Sequence, residues 1–140
     1  MFIPKLIPAA LMVAVSTAAF AAPAPDAQKH FQAIAFGDIN HIMQQYSNGA
    51  VLQWVGGPLN GTYFGPTQIR RAWTKFTKAV APGTVDVSDV SVAGDMKGMT
   101  VTANVEFDGR KDVKVRYVLV YRHGKLVDEV WQVDPDLQVG

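Results

Sequence analysis

A carboxylate near the end of the chain has neighbours suited to acid/base chemistry. The run from Leu126 to Val133 follows a turn at His123-Gly124 and is predicted to form the last β-strand. Alternation places Glu129 on the same face as Trp131. Burial in apolar surroundings raises the pKa of a carboxyl group and so suits it to proton transfer near neutral pH. Glu129 is therefore a candidate general acid or base, although it could instead pair with Arg116 or with a tyrosine.

Tyrosines supply the candidate hydrogen-bond donors. Tyr117 and Tyr121 share one face of the preceding predicted strand with Val115 and Leu119. A hydroxyl at such a position can donate to a carbonyl or enolate-like oxygen of a ligand. A tyrosine that only packs in a core also satisfies its hydroxyl, so packing is the alternative interpretation. Of the tyrosines, Tyr117 is the strongest candidate for a catalytic donor.

The composition argues against several other functions. The 140 residues include no cysteine, which excludes thiol catalysis and cysteine-type zinc sites. His30, His41 and His123 share no predicted face and are expected in solvent, so no metal site is predicted. A formal charge of +1 gives no reason to expect binding to nucleic acid. No cofactor is predicted either.

The first residues are typical of a secretory signal peptide. Lys5 precedes an uncharged apolar run, and Ala19-Phe20-Ala21 offers small residues where signal peptidase requires them. We expect cleavage after Ala21, so that residues 1–21 are removed and the protein is exported to the periplasm or secreted. A membrane anchor is the alternative, but the flanking prolines leave the run short of the ~20 apolar residues of a spanning helix. No stable membrane anchor is expected after cleavage.

Helical patterns occupy the first half of the remaining chain. Residues 22–30 are interpreted as a leader. Asp26 within this leader is predicted to cap a helix that ends at Gly37. Asp38 caps a second helix that carries Tyr46 on its apolar stripe, and Asn48-Gly49 predicts a turn. The clearest helix follows Pro66, and its apolar residues recur at helical spacing: Ile69, Ala72, Trp73, Phe76 and Val80.

The second half changes to the period of β-strands. Alternating runs between Val85 and Val133 are separated by turns at Asp108-Gly109 and His123-Gly124. Helices followed by an antiparallel meander predict an α+β fold with the helices on one face of the sheet. No linker divides the chain, so residues 31–135 are predicted to form one domain.

Several runs together resemble the SnoaL-like proteins of the nuclear transport factor two superfamily, which includes ketosteroid isomerases, polyketide cyclases and limonene epoxide hydrolases. The runs are Gly37-Asp38-Ile39 through Tyr46, Val51-Leu52-Gln53-Trp54, Leu59-Asn60-Gly61-Thr62-Tyr63-Phe64-Gly65, the helix with Trp73 and Phe76, and His123-Gly124-Lys125-Leu126-Val127-Asp128-Glu129-Val130-Trp131. The resemblance spans about residues 31–134. It is specific for the fold rather than for a reaction.

The resemblance implies a cone, in which a curved antiparallel sheet wraps the N-terminal helices and leaves an apolar pocket at the open end. It implies that Glu129 and Trp131 face into the cone. If they do, Glu129 is the candidate proton shuttle and Tyr117 the candidate hydrogen-bond donor. The pocket would be lined by Tyr46, Trp54, Tyr63, Trp73, Val105, Phe107, Leu119 and Trp131.

Two departures from the family leave the reaction open. The position that matches the proton-shuttling aspartate of ketosteroid isomerase holds Trp54, which cannot transfer a proton, and the acid of the oxyanion hole is matched by Tyr117. Limonene epoxide hydrolases use an aspartate, arginine and aspartate set, whereas Arg116 alternates away from the face of Tyr117. Acid/base chemistry here would therefore depend on a relocated carboxylate, Glu129.

Two functions remain open from the sequence. In the first, an exported SnoaL-like protein binds a small hydrophobic molecule and carries out isomerase, cyclase or hydrolase-like acid/base chemistry. In the second, it is a non-catalytic binding or assembly module whose aromatic side chains fill the cone. A homodimer is expected through the opposite sheet face, which carries Val118 and Val120.

Overall fold

Two helices lead into the sheet. The computed structural model describes residues 24–140, so the predicted signal peptide lies outside the described residues. Helix α1 spans Pro25–Phe36 and α2 spans Ile39–Gln44. Gly37 ends α1 at a φ of 79°, where its N–H donates to Ala33 and Ile34 carbonyls. Asp38 caps α2 as predicted, because its side chain accepts from the backbone N–H of His41.

The start of α1 differs from the prediction. Ala24 occupies the N-cap position, and Asp26 lies inside the first turn, where its negative charge favours the positive end of the helix dipole. Residues 25–30 therefore belong to the helix and not to an extended leader. This brings Ala27 and His30 into the core.

Among residues 24–140, six strands form one sheet, and a third helix follows the second strand. The strands are β1 (Tyr46–Val55), β2 (Gly61–Phe64), β3 (Thr84–Gly94), β4 (Met99–Asp108), β5 (Asp112–Arg122) and β6 (Lys125–Val133), and α3 spans Gly65–Val80. Their order across the sheet is β2-β1-β6-β5-β4-β3. Strands β3 to β6 form the predicted antiparallel meander, and the α+β class is confirmed. Strand β1 pairs parallel to β6, so the sheet is mixed rather than wholly antiparallel.

The predicted turn at Asn48-Gly49 is wrong, because β1 runs through it from Tyr46 to Val55. The pairing of β1 with β6 shifts register between Tyr46 and Val51. This irregularity accommodates two residues that favour turns without ending the strand. Tyr46 accordingly begins β1 and does not lie on the stripe of α2.

A second register shift, between Val120 and Tyr121, changes which side of β6 is buried. Strict alternation predicts Leu126 on the face of Asp128, whereas Leu126 is buried opposite Tyr121. The later residues of β6 keep the predicted faces, with Glu129 and Trp131 inside and Asp128 outside.

The core lies between α3, α1 and the inner face of the sheet. All five apolar residues predicted for the buried side of α3 are buried. The centre is an aromatic cluster, defined as Trp54, Trp73, Phe76, Phe107 and Trp131, in which ring centroids of contacting pairs lie 4.8 to 6.2 Å apart. Within residues 24–140, no helix has the length and apolar character needed to cross a membrane.

Candidate functional site

The carboxylate of Glu129 lies in the core and accepts three hydrogen bonds. Glu129 is only 1% exposed to solvent. His30 Nε2 lies 3.0 Å from Oε2, Tyr117 donates its hydroxyl to the same oxygen, and Tyr46 donates its hydroxyl to Oε1. Arg116 is exposed on the other side of β5 and takes no part. Of the interpretations left open by the sequence, pairing with tyrosines describes the surroundings of Glu129.

Five elements contribute to this buried polar network, which comprises His30, Tyr46, Trp73, Tyr117 and Glu129. Trp73 on α3 extends it, because its indole Nε1 donates to the Tyr46 hydroxyl over 2.8 Å. The Tyr46 hydroxyl thus accepts from one residue and donates to another. The remaining members come from α1, β5 and β6, so the network ties helices α1 and α3 to the middle of the sheet.

The tyrosines of the network are held in their neutral form. Burial raises the pKa of Tyr46 and Tyr117 well above the ordinary value, and the negative charge of Glu129 adds to the effect. Burial also raises the pKa of Tyr121, whose hydroxyl donates to Gln45 over 2.7 Å. At neutral pH, Tyr46 and Tyr117 therefore remain hydrogen-bond donors.

His30 is the network member that sequence reasoning missed. It was expected in solvent, and that expectation is wrong, because the residue is fully buried. Its Nδ1 is buried with no hydrogen-bond partner. A proton on Nδ1 would have no acceptor, so the hydrogen-bond pattern assigns the proton of the neutral ring to Nε2, which donates to Glu129. A signal was present in the sequence, since Ala27, His30, Phe31 and Ile34 follow the helical period of one buried stripe.

A cavity of about 710 Å³ lies between α3, the loop after β1 and the turn between β4 and β5. Three aromatic rings of the cluster form part of its lining, from Trp54, Phe76 and Trp131. Leu59 and Val133 add aliphatic surface, and charged residues also contribute, namely Lys75, Glu106, Lys111, Asp112 and Lys114. The cavity is therefore mainly apolar with charged groups among its lining residues.

The buried polar network does not line this cavity. Neither Glu129 nor Tyr117 is among the lining residues. Trp131 lies between the two features, because it lines the cavity and its ring packs edge-on against Tyr117 with centroids 5.1 Å apart. The aromatic cluster thus separates the candidate acid/base residues from the cavity.

The structure divides the residues predicted to line a pocket. Trp54 and Trp131 line the cavity. Tyr63 is half-buried on β2 and donates its hydroxyl to the Leu59 carbonyl over 2.6 Å. The others are buried in the core away from the cavity, because the aromatic cluster fills the inside of the cone: Tyr46, Trp73, Val105, Phe107 and Leu119.

Three carboxylates cluster beside the cavity, on Glu106, Asp108 and Asp112, with ligand atoms within 4.8 Å of one another. Hydrogen bonding to the Asp112 carboxylate, together with the negative charge of that group, raises the pKa of Asp108. The aspartates are exposed and Glu106 is half-buried. Exposed acidic groups of this kind are common without an ion, and the cluster alone does not indicate a metal site.

Solved structures of the nuclear transport factor two-like class share this fold. One such protein from Cytophaga hutchinsonii superposes with a TM-score of 0.63 at 18% identity, over 78% of this chain and 93% of that one. A candidate ketosteroid isomerase from Parabacteroides distasonis gives 0.60 at 17% identity, over 76% and 83% of the two chains. A ketosteroid isomerase-like fold from Catenulispora acidiphila, in complex with trimethylamine, gives 0.60 at 13% identity, over 77% and 84%. Identities this low show the fold alone.

The family follows from the sequence match. Residues 27–129 match the model of the SnoaL-like domain, so the chain belongs to the SnoaL-like family and the resemblance is confirmed. No curated protein matches the chain. The family fold and the cavity together indicate a small-molecule binding site.

Proposed function

We propose that this protein binds a small hydrophobic molecule in the 710 Å³ cavity. The observation that carries the proposal is the aromatic surface that Trp54, Phe76 and Trp131 present to that space. Ligand sites typically measure about 300–1,000 Å³ and combine an apolar lining with a few polar groups. The complex of the Catenulispora acidiphila protein with trimethylamine supports binding of small molecules by this fold.

Binding without turnover fits the positions of the polar residues best. A general base must come within hydrogen-bond reach of the proton that it removes, directly or through one water. Glu129 lies outside the cavity lining, and its oxygens already accept from His30, Tyr46 and Tyr117. These contacts give the carboxylate a structural role.

Acid/base chemistry is the second candidate function. It is favoured by the buried polar network itself, because a carboxylate beside two neutral tyrosines and a histidine could move a proton and stabilise an oxyanion. A substrate would reach Glu129 and Tyr117 only after Trp131 moved. The test is turnover of a bound carbonyl compound by the protein and by Glu129→Gln. Loss of turnover in the variant with binding retained would establish acid/base chemistry.

A titration of the purified protein with apolar compounds of graded size tests the binding proposal, with intrinsic tryptophan fluorescence as the readout. Trp54 and Trp131 line the cavity, so saturable quenching is expected. Ala79→Trp places a large ring in the cavity and should abolish binding, because Ala79 lines it. Thr74→Trp is the matched control, since Thr74 is exposed on the same helix and lies outside the lining. No saturable binding, or equal binding by both variants, would overturn the proposal.

We also propose that the protein works outside the cytoplasm after removal of residues 1–21. The proposal depends on Lys5, the apolar run and Ala19-Phe20-Ala21. Amino-terminal sequencing of the protein recovered from the periplasm or medium should begin at Ala22. Recovery of the full-length chain from the cytoplasm alone would contradict export.

A further inference from the structure

One buried donor beside the cavity has no partner. The indole Nε1 of Trp131 makes no hydrogen bond, and the residue is fully buried. The contrast with Trp73 is direct, because Trp73 Nε1 donates to the Tyr46 hydroxyl over 2.8 Å. A buried donor without an acceptor destabilises the fold, and such groups are rare in folded proteins.

The other unpartnered polar atoms in residues 24–140 have simpler explanations. They are His30 Nδ1 and Ser88 Oγ. The Nδ1 of a neutral histidine protonated at Nε2 is an acceptor, and a serine hydroxyl can rotate and either donate or accept. An indole N–H is a donor only, with a direction fixed by the ring. Of the three atoms, only Trp131 Nε1 therefore requires an acceptor from elsewhere.

We propose that the cavity selects ligands with a hydrogen-bond acceptor oxygen, which takes the N–H of Trp131 while the apolar body of the ligand packs on the aromatic surface. This inference rests on the proposed binding function and names its ligand class: apolar compounds with one carbonyl or ether-type oxygen. Trp131 is then the specificity-determining residue, because it both lines the cavity and carries the unsatisfied donor.

The aromatic cluster leaves Trp131 free of polar anchors. Its ring packs on those of Trp54, Trp73, Phe76, Phe107 and Tyr117, at centroid distances from 4.8 to 5.2 Å. These contacts depend weakly on direction when compared with a hydrogen bond. The nitrogen is covered in this structure, so pairing requires the indole or a neighbouring ring to tilt. No hydrogen bond of the Trp131 side chain has to break when its own indole tilts.

A pair of ligands of nearly equal shape tests the proposal. Tetralin is a bicyclic hydrocarbon, and 1-tetralone adds one carbonyl oxygen to the same skeleton. Affinities of both are measured for the protein and for Trp131→Phe, which keeps an aromatic ring but removes the N–H. We expect Trp131→Phe to weaken 1-tetralone about tenfold more than tetralin, the ratio that corresponds to one satisfied buried donor. Trp54→Phe is the control and should weaken both ligands equally.

A second measurement uses the unsubstituted protein and therefore does not require that a variant folds. The indole N–H resonance of Trp131 in the ¹⁵N-labelled protein should move downfield with 1-tetralone but not with tetralin. Binding of both ligands with no such shift and no difference in Trp131→Phe would overturn the inference and leave the binding function intact. If only Trp54→Phe loses the preference for 1-tetralone over tetralin, the donor is the indole of Trp54. That result would also overturn the inference. If neither ligand nor any larger homologue binds, both proposals fail.

Discussion

A carboxylate in an apolar core is tolerated only while its donors stay in place. Removing one partner of a buried, hydrogen-bonded charge leaves an uncompensated group and costs several kcal/mol. Glu129 depends on donors from three elements, and Tyr46 depends in turn on Trp73. The buried polar network should therefore respond to single substitutions as a unit rather than residue by residue.

Glu129→Gln tests the structural role of the network. The amide nitrogen replaces one carboxylate oxygen and faces hydroxyl or N–H donors, so at least one of Tyr46, Tyr117 and His30 loses its acceptor. We expect the free energy of unfolding to fall by about 2–4 kcal/mol in urea titrations. Asp128→Asn, on the exposed side of the same strand, should change it by less than about 0.5 kcal/mol. Equal stability of the two variants would show that Glu129 is not held by these contacts.

Alkaline pH should destabilise the protein through its buried tyrosines. The pKa of Tyr46 and of Tyr117 is raised by burial above the ordinary 10.0, so the folded state keeps protons that the unfolded chain releases. Their contribution is complete below about pH 10 and is lost as the pH rises further, at about 1.4 kcal/mol per pH unit for each tyrosine. Urea unfolding from pH 8 upward measures the slope, which should be smaller in Tyr117→Phe. An unchanged slope in that variant would contradict the assignment.

The sequence predicted which candidate residues face inward, but not which side chains contact them. Alternation alone placed Glu129 with Trp131 and Tyr117 with Leu119. His30 lies 99 residues from Glu129, and no local pattern reports a contact between positions so far apart. Filling of the cone by tryptophan and phenylalanine was one of the two alternatives that the sequence left open. The sequence could not decide between them, because the outcome depends on how rings from four elements interlock.

Among the elements, the end of α3 is held closely against the turn between β4 and β5. The N–H of Arg110 donates to the Val80 carbonyl over 2.8 Å. A Cβ atom on Gly109 would lie 2.1 Å from the same carbonyl oxygen. Only glycine lets the two backbones approach this closely.

Gly109→Ala should therefore separate the turn from α3. The added methyl group meets backbone rather than a flexible side chain, so we expect a loss of about 1–3 kcal/mol in unfolding free energy, measured by urea titration. Gly49→Ala provides the control, because a Cβ atom there meets nothing within 4 Å. A Gly109→Ala variant as stable as Gly49→Ala would mean that the turn shifts without cost.

Local sequence patterns predicted some helices and strands correctly and missed features of others. Helix α3 was evident because its stripe of buried residues repeats with the helical period over its length. The Asn48-Gly49 turn was predicted from residue preference, yet pairing with β2 and β6 keeps the strand continuous. The parallel pairing of β1 with β6 had no signal, since alternation reports which face is buried and not the direction of the neighbouring strand.

At the scale of the whole molecule, the outer face of the sheet suggests a second copy as its partner. Helices cover the inner face, whereas the outer face presents Phe64, 61% exposed, and partly exposed Val118 and Val120. The register sets Val118 beside Val130, and Phe64 beside Val51, so these side chains share one surface. We propose that two copies associate through this face, since a closed twofold contact buries the same surface on both.

Val118→Lys should convert such a dimer to a monomer, because it places a charge in the apolar contact. Sedimentation equilibrium of the protein and the variant at high concentration measures the change in mass. Thr84→Lys, at the exposed start of β3, is the control and should leave the mass unchanged. A monomeric unsubstituted protein would contradict the dimer.

Strand β6, which comes last in chain order within this sheet, lies in the middle of it. Strand β6 separates β1 and β2 from the other three strands, and it carries the carboxylate that His30 and Tyr46 require. Until residues 125–133 have left the ribosome, β1 has only β2 as a neighbouring strand, and His30 and Tyr46 lack their acceptor on β6. Closure of the core must therefore wait until β6 has been synthesised. The proposed export would benefit from this delay, because a chain whose core is still open can be threaded through a narrow pore.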